Sequence, residues 1–169
     1  STDFRSLKTI GAYAFYGCSK MANNINLQSL TSIGEYAFYG CSNINGTVTI
    51  PDGVPTIGAY TFYNCSGIEK LVIGDSVTSL GAGSFSGCTS ITNLTIPISV
   101  NAVASTTPAF ANCNKIVTYT FTKGTGEGFD YSSDSRSNSY YQYTPWYYAK
   151  DSAMTVTINE EISKIGNYM

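Results

Sequence analysis

The chain of 169 residues contains no histidine. That absence removes Ser–His and Cys–His nucleophile systems, and the zinc sites built on imidazole. Charge is scarce as well: nine basic and eleven acidic residues, net −2, with no run of either sign. A basic face for nucleic acid or for an anionic lipid surface is therefore not expected. No apolar run approaches the length needed to span a bilayer, so direct membrane insertion is not expected either. No signal peptide is recognisable. The opening "STDFRSLKTIG" and the closing "EISKIGNYM" read as cut ends of something longer. An enzyme built from this chain would have to work with carboxylates, tyrosine or lysine alone. The acids are scattered, mostly in turns, without the converging pair that glycoside hydrolysis requires. The expectation is a non-enzyme with no catalytic residue, no metal and no cofactor.

What the chain does have is one phrase, written repeatedly. "IGAYAFYGCS" at 10–19 returns as "IGEYAFYGCS" at 33–42, as "IGAYTFYNCS" at 57–66, and more loosely as "LGAGSFSGCT" at 80–89. The five cysteines, Cys18, Cys41, Cys65, Cys88 and Cys113, are spaced 23, 24, 23 and 25 residues apart. Each follows a phenylalanine by three places: Phe15, Phe38, Phe62, Phe85 and Phe110. Positions i and i+3 share one face of a helical turn, so Phe and Cys are expected to point inward together as a core ladder. Before each Phe stands an apolar pair: Leu7/Ile10, Leu30/Ile33, Val54/Ile57, Val77/Leu80 and Val100/Val103. A glycine follows four of these pairs, and backbone freedom is its expected role.

The second half of each unit alternates. "IEKLVIG", "ITNLTIP" and "IVTYTF" place Ile68, Leu71 and Ile73, then Ile91, Leu94 and Ile96, then Ile116, Tyr119 and Phe121 at strand spacing. "MANNINLQSL" and "INGTVTIPDGV" carry the same idea with one-residue shifts. A period of about 23 residues signals a solenoid of the leucine-rich type. The expected fold class is an α/β solenoid of six or seven rungs, each a short strand, an extended piece and a short helical turn. No unit buries its apolar face alone; stacking does so. The length and the 43% hydrophobic content suit one domain over 1–169.

The composite "IGxYAFYGCSxI…LxIPxxVxxIG" resembles the BspA-like, Treponema-type leucine-rich repeats. The resemblance runs rung by rung over 4–121 and resumes at "MTVTINEEISKIG", 154–166. It implies a right-handed leucine-rich-repeat horseshoe or rod at the cell surface or secreted, used for adhesion to host or matrix proteins. It carries over no catalytic residue.

The repeat breaks over 122–153, a variant rung holding six of the fourteen tyrosines and the single tryptophan. In one reading Trp146 replaces the core Phe and Ala149 the Cys. In the other, the Tyr/Ser-rich insertion, with Tyr140, Tyr141, Tyr143 and Tyr147, is a recognition surface of paratope-like chemistry. A smaller departure is "ASTTPAF" at 104–110. The final rung, 154–169, stops before its Phe, so end-to-end self-association of exposed rungs is expected.

The remaining signals are weaker. One cysteine per rung in an odd total argues for buried reduced thiols rather than disulfides or a metal. With Val48 and Ile50 inward, Thr47 and Thr49 face out, followed by Lys70 and Val72, Asn93 and Thr95, Thr118 and Thr120, then Thr155 and Thr157. Thr49, Thr95, Thr120 and Thr157 are the candidate ligand contacts on the concave strand face, although Thr is also simply a good exposed strand residue. Lys70 and Val72 interrupt the rows, which weakens an ice-binding reading. "GTGEG" at 124–128 is a turn without the lysine of a phosphate loop, and Glu127, Asp130 and Asp134 match no calcium loop. Asn45, Asn64 and Asn93 match the glycosylation acceptor, with Asn64 expected against the buried cysteine. Two functions are carried forward. One is a surface binding module for a host or matrix protein or a glycan, through the strand face, the Tyr-rich loop or both. The other is a spacer with no ligand of its own.

Overall fold

A computed structural model describes residues 2–21, 24–102, 107–124 and 154–158. The elements are twelve short strands: β1 Thr2–Asp3, β2 Thr9–Ile10, β3 Ile25–Asn26, β4 Ser32–Ile33, β5 Gly46–Ile50, β6 Thr56–Ile57, β7 Ile68–Ile73, β8 Ser79–Leu80, β9 Asn93–Pro97, β10 Asn101–Ala102, β11 Thr118–Thr122 and β12 Thr155–Ile158. Odd-numbered strands and β12 form one side of the solenoid, in the orders β1-β3 and β12-β11-β9-β7-β5. The extended pieces form a second side, β2-β4 and β10-β8-β6. Every pairing is parallel. The chain thus advances one rung per repeat, and the alternating strand residues Val48, Ile50, Leu71, Ile73, Leu94, Ile96, Tyr119 and Phe121 all turn into one continuous core.

The third side of each rung differs from expectation. No helix occurs among the described residues; residues 12–17, 35–40, 59–64 and 82–87 are runs of turns. The reason lies in where the amides go. Tyr13, Phe15 and Gly17 donate to the carbonyls of Glu35, Ala37 and Tyr39 in the next rung, at 3.0, 2.8 and 2.7 Å. The amides between them bond locally, Ala14 to Gly11 and Tyr16 to Tyr13. The next two rungs repeat the scheme, from Tyr36, Phe38 and Gly40 to Ala59, Thr61 and Tyr63, and from Tyr60, Phe62 and Asn64 to Ala82, Ser84 and Ser86. An α-helix would consume all of these donors internally. Here every second one is spent on stacking, with backbone φ near +55 to +75° at Tyr13, Gly17, Tyr36, Gly40, Tyr60, Asn64 and Gly83.

Phe38, Phe62, Phe85 and Phe110 are buried and stack ring on ring at 5.1, 5.3 and 5.5 Å. Beside them, each buried thiol donates to the carbonyl of the phenylalanine one rung back: Cys41 to Phe15 at 3.0 Å, Cys65 to Phe38 at 3.1 Å, Cys88 to Phe62 and Cys113 to Phe85 at 3.2 Å. All five cysteines are free thiols. Three positions of the first rung depart from the core expected of them. Leu7 and Cys18 in the first rung are exposed, and Phe15 is half-buried. No described rung precedes them, so Cys18 has no carbonyl to meet. At the other edge Val156 packs on the core, but Ile158 is 42% exposed on the outermost described strand.

The glycines after the apolar pairs also have another role. Gly34, Gly58 and Gly81 keep ordinary negative φ. A Cβ on Gly34 would stand 2.6 Å from Ala12 Cα, and one on Gly81 2.6 Å from Ala59 N. These glycines are there because neighbouring rungs approach too closely for a side chain.

Burial pushes the thiol of Cys41 up to about 11 and that of Cys113 up to about 12, and it raises Cys65 and Cys88 as well. A thiol raised in the folded state stays protonated while the unfolded chain ionises, so its contribution to stability is full below pH about 9 and is lost as pH climbs through the folded values. Stability against thermal unfolding is expected to fall steadily from pH 9 to 11, by roughly 1 kcal/mol per pH unit for each buried thiol. A flat profile would show that the thiols are solvated. In the same native protein, a thiol reagent should modify Cys18 alone, counted by intact mass, and all five only after denaturation; reaction at Cys65 or Cys88 under native conditions would contradict the buried ladder.

Candidate functional site: the strand face and a tyrosine patch

On the strand side the outward residues fall in register. Thr49 pairs with Val72, Val72 with Thr95, Thr95 with Thr120, and Thr120 with Thr157. The companion row is Thr47, Lys70, Asn93, Thr118 and Thr155. Thr47, Thr49, Lys70, Thr155 and Thr157 are exposed; Val72, Asn93, Thr95, Thr118 and Thr120 are half-buried. The structure therefore brings Thr49, Thr95, Thr120 and Thr157 onto one face, broken by Val72.

The ladder of this face is interrupted between β3 and β5, which belong to separate sheets. β5 opens at Gly46, in left-handed backbone at φ 68°, and the register against β7 slips beside it. A depression of about 850 Å³ lies at the interruption, lined by Arg5, Asn24, Asn26, Gln28, Thr47 and Thr49, with Asp52 at its border. Asn26 holds Gln28 in place, its Oδ1 accepting the Gln28 N–H at 3.1 Å. Amides and hydroxyls share the lining with Ile25, Leu27 and Pro51, and Arg5 and Asp52 bring one charge of each sign. The acids themselves are occupied: Asp52 Oδ1 accepts the Asp75 N–H at 2.7 Å, and Asp75 accepts the Thr122 hydroxyl. No group of three metal-ligating side chains occurs among the described residues.

Tyr140, Tyr141, Tyr143 and Tyr147 lie outside the described residues, as do Trp146, Ala149, Glu127, Asp130 and Asp134. Asn64 is exposed rather than packed against its cysteine, because its left-handed φ of 56° turns it out of the rung.

Sequence reasoning passed over a different cluster. The phrase "YAFYGC" sets a tyrosine two residues before each core Phe and one residue after it in the first three rungs. In the structure these form two columns. Tyr13, Tyr36 and Tyr60 stack at 4.8 and 5.1 Å; Tyr16, Tyr39 and Tyr63 stack at 4.7 and 4.8 Å. Across the columns the rings stand 5.8, 5.9 and 5.6 Å apart, inclined at 42°, 31° and 66°. Shielding by the neighbouring rings lifts the phenols of Tyr36 and Tyr39 above their ordinary range, adjacent tyrosines add to it, and Glu35 adds to it for Tyr36. They stay protonated donors at any physiological pH. The signal was present in the sequence, but periodicity measured on apolar positions treats these tyrosines as filler.

Comparison with known proteins places this architecture. Residues 7–134 match the model of the BspA type leucine rich repeat region, in six copies. A leucine-rich repeat protein of T. pallidum is 26% identical in sequence, with a TM-score of 0.56, over 68% of this chain and 52% of that one. A leucine rich cell surface protein of Faecalibacterium prausnitzii A2-165 is 32% identical, with a TM-score of 0.60, over 68% of this chain and 29% of that one. The chain thus spans about half, or less, of the solved structures it resembles. No curated protein matches it.

The tyrosine columns end at Gly83, which occupies the position of Tyr13, Tyr36 and Tyr60 at φ 56°. A Cβ there would meet Tyr60 Cε1 at 2.7 Å and Cδ1 at 2.9 Å. Gly83→Ala is expected to destabilise the protein by about 1–2 kcal/mol in denaturant titration. Gly11→Ala, where a Cβ meets nothing within 4 Å, should stay within about 0.5 kcal/mol of the parent. Equal effects of the two would remove the special role of the Gly83 turn.

Proposed function

The chain belongs to the BspA-type leucine-rich-repeat proteins, and from that premise we propose that it is a surface-exposed recognition module, extracellular or held at the cell surface, whose ligand is a glycan bound on the strand face. The observation that carries this reading is the polar depression at the β3/β5 interruption. Asn24, Asn26, Gln28, Thr47 and Thr49 offer donors and acceptors to a hydroxyl-rich chain. Arg5 and Asp52 cancel in charge, which suits a neutral ligand. The lining has no aromatic residue, the kind that most often anchors a protein partner. The threonine row beyond it extends the same chemistry along the axis, so several sugar units have contacts in line. The F. prausnitzii relative, named as a cell surface protein, supports the location.

Binding through such a surface rests on many modest hydrogen bonds, each worth about 0.5–1.5 kcal/mol net. Micromolar to millimolar affinity is the natural range, and adhesion would gain strength from several copies acting together.

A glycan array tests this, with the parent protein, an Asn26→Ala/Gln28→Ala variant, and a Tyr140→Ser/Tyr141→Ser/Tyr143→Ser variant. The expected result is a glycan bound by the parent and the tyrosine variant, with roughly tenfold loss or more in the amide variant. Loss only in the tyrosine variant would move recognition to the Tyr/Ser-rich insertion. No glycan bound by any form, and no matrix protein either, would leave the spacer reading in its place.

A further inference from the structure

We propose that the tyrosine patch on the turn side is a second, separate interaction surface, and that it docks a proline-rich segment of a protein partner in polyproline II conformation. The patch is Tyr13, Tyr36 and Tyr60 beside Tyr16, Tyr39 and Tyr63. It does not coincide with the polar depression, whose lining includes none of these residues.

The patch is maintained against a cost. Tyr13, Tyr36 and Tyr60 sit at φ 59°, 57° and 54°. That region is uncommon for any residue with a side chain and unfavourable for a bulky one. The next rung uses glycine at the same place, which shows that the turn itself does not require tyrosine. The core does not require these rings either: Tyr13 and Tyr16 are 57% and 51% exposed, and the other four are half-buried. Strain retained at an exposed aromatic cluster points to binding rather than folding.

Within each column the ring faces are taken up by one another. A flat sugar or base has no open face to stack on between the rungs. What remains outward is ring edges and hydroxyls. Tyr60 donates its hydroxyl to Thr107 Oγ1 at 3.2 Å; among the described residues the hydroxyls of Tyr13, Tyr16, Tyr36, Tyr39 and Tyr63 make no hydrogen bond. Glu35 is the one charged group that acts on Tyr36, and its sign disfavours an anionic ligand. The patch therefore asks for an uncharged partner with apolar bulk and many free acceptors. A polyproline II chain has both: it makes no internal hydrogen bonds, so its carbonyls are open, and its pyrrolidine rings pack on aromatic surface.

Spacing favours the same partner. The columns repeat at 4.7 to 5.1 Å. One polyproline turn rises about 9.3 Å, close to two column steps, so equivalent residues meet equivalent tyrosines. A β-strand repeats its side chains every ~6.7 Å and falls out of phase within three rungs; a helix, at ~5.4 Å per turn, overshoots two column steps by more than a polyproline turn falls short, and its carbonyls are tied up in internal hydrogen bonds. A second copy of this solenoid would stay in phase, and it is the rival occupant.

The test is isothermal titration of the full chain with three synthetic peptides: a proline decamer, an alanine-rich helical peptide and an alternating Thr/Val peptide. The expected result is saturable binding of the proline peptide alone. Tyr36→Gly relieves the left-handed strain and should unfold no more easily than the parent, yet weaken that binding roughly tenfold or more. Tyr36→Phe/Tyr39→Phe keeps the stack, removes two donors and should weaken it several-fold. Asn26→Ala/Gln28→Ala should leave it unchanged, whatever the glycan array shows. Absence of binding to the proline peptide, or equal binding by the Tyr36→Gly variant, would overturn the proposal. Concentration-dependent dimerisation abolished by Tyr36→Gly, with no peptide bound, would assign the patch to a second copy instead.

Discussion

The backbone spacing between rungs, set by parallel hydrogen bonds on every side of the solenoid, is the constraint on which everything else depends. On two sides the bonds are ordinary parallel β-ladders. On the third they continue through turns, where Tyr13, Phe15 and Gly17 reach the next rung, as do their equivalents two rungs on. A stack held at about 4.8 Å leaves few choices for the residue at each position. Planar Phe rings fill the interior because flat groups stack at that pitch. Cysteine is small enough to sit beside them, and its thiol finds a carbonyl of the preceding rung at 3.0 to 3.2 Å. Glycine stands at 34 and 81 because a side chain there would enter the neighbouring backbone, and at 58 a Cβ would crowd the Glu35 side chain.

Much of this was legible in the sequence, for a simple reason. Inward positions of a solenoid repeat in sequence at the period of the rung, so the Phe–x–x–Cys ladder and the alternating strand residues announce both architecture and core. The outward rows follow from the same alternation, and the register places Thr49, Thr95, Thr120 and Thr157 on one face. The helical turn was the natural misreading. An i, i+3 pair of inward residues is compatible with a helix and equally with a turn run whose local bonds also span three residues. Only the destination of the alternate amides separates the two, and that destination lies in another repeat, some 23 residues away. The exposure of Leu7, Cys18 and Ile158 was hidden for the same reason. Their residue types match the buried members of the ladder; their neighbours do not.

The site was less legible than the fold. The polar depression depends on an interruption of pairing between β3 and β5, and on a bulge beside Gly46. Neither leaves a compositional mark. "NNINLQ" and "NGTVT" look like ordinary strand surroundings until they are set side by side. The tyrosines present the opposite case, plainly visible in the repeat yet unreadable as a site, because a residue that recurs with the period is easily taken for scaffold.

That last distinction bears on how a repeat protein acquires function. A position repeated for structural reasons should persist in every rung that shares the structure, as the core Phe does from Phe38 to Phe110. Tyrosine does not. It occupies both outward positions in three rungs, then yields to Gly83 and Ser86, and then to Pro108 and Ala111, while the Phe and Cys beside it continue unchanged. Gly83, Phe85 and Gly87 make the same inter-rung bonds without the rings as the tyrosine-bearing rungs make with them. The tyrosines are therefore a layer written over the scaffold along a limited length, and in one of the two columns, at Tyr13, Tyr36 and Tyr60, the backbone is left-handed, a conformation unfavourable for a bulky side chain. The threonine rows lie over favourable strand geometry and need no such explanation. Of the two faces, the tyrosine columns are the one whose side chains neither the core nor the turn geometry accounts for.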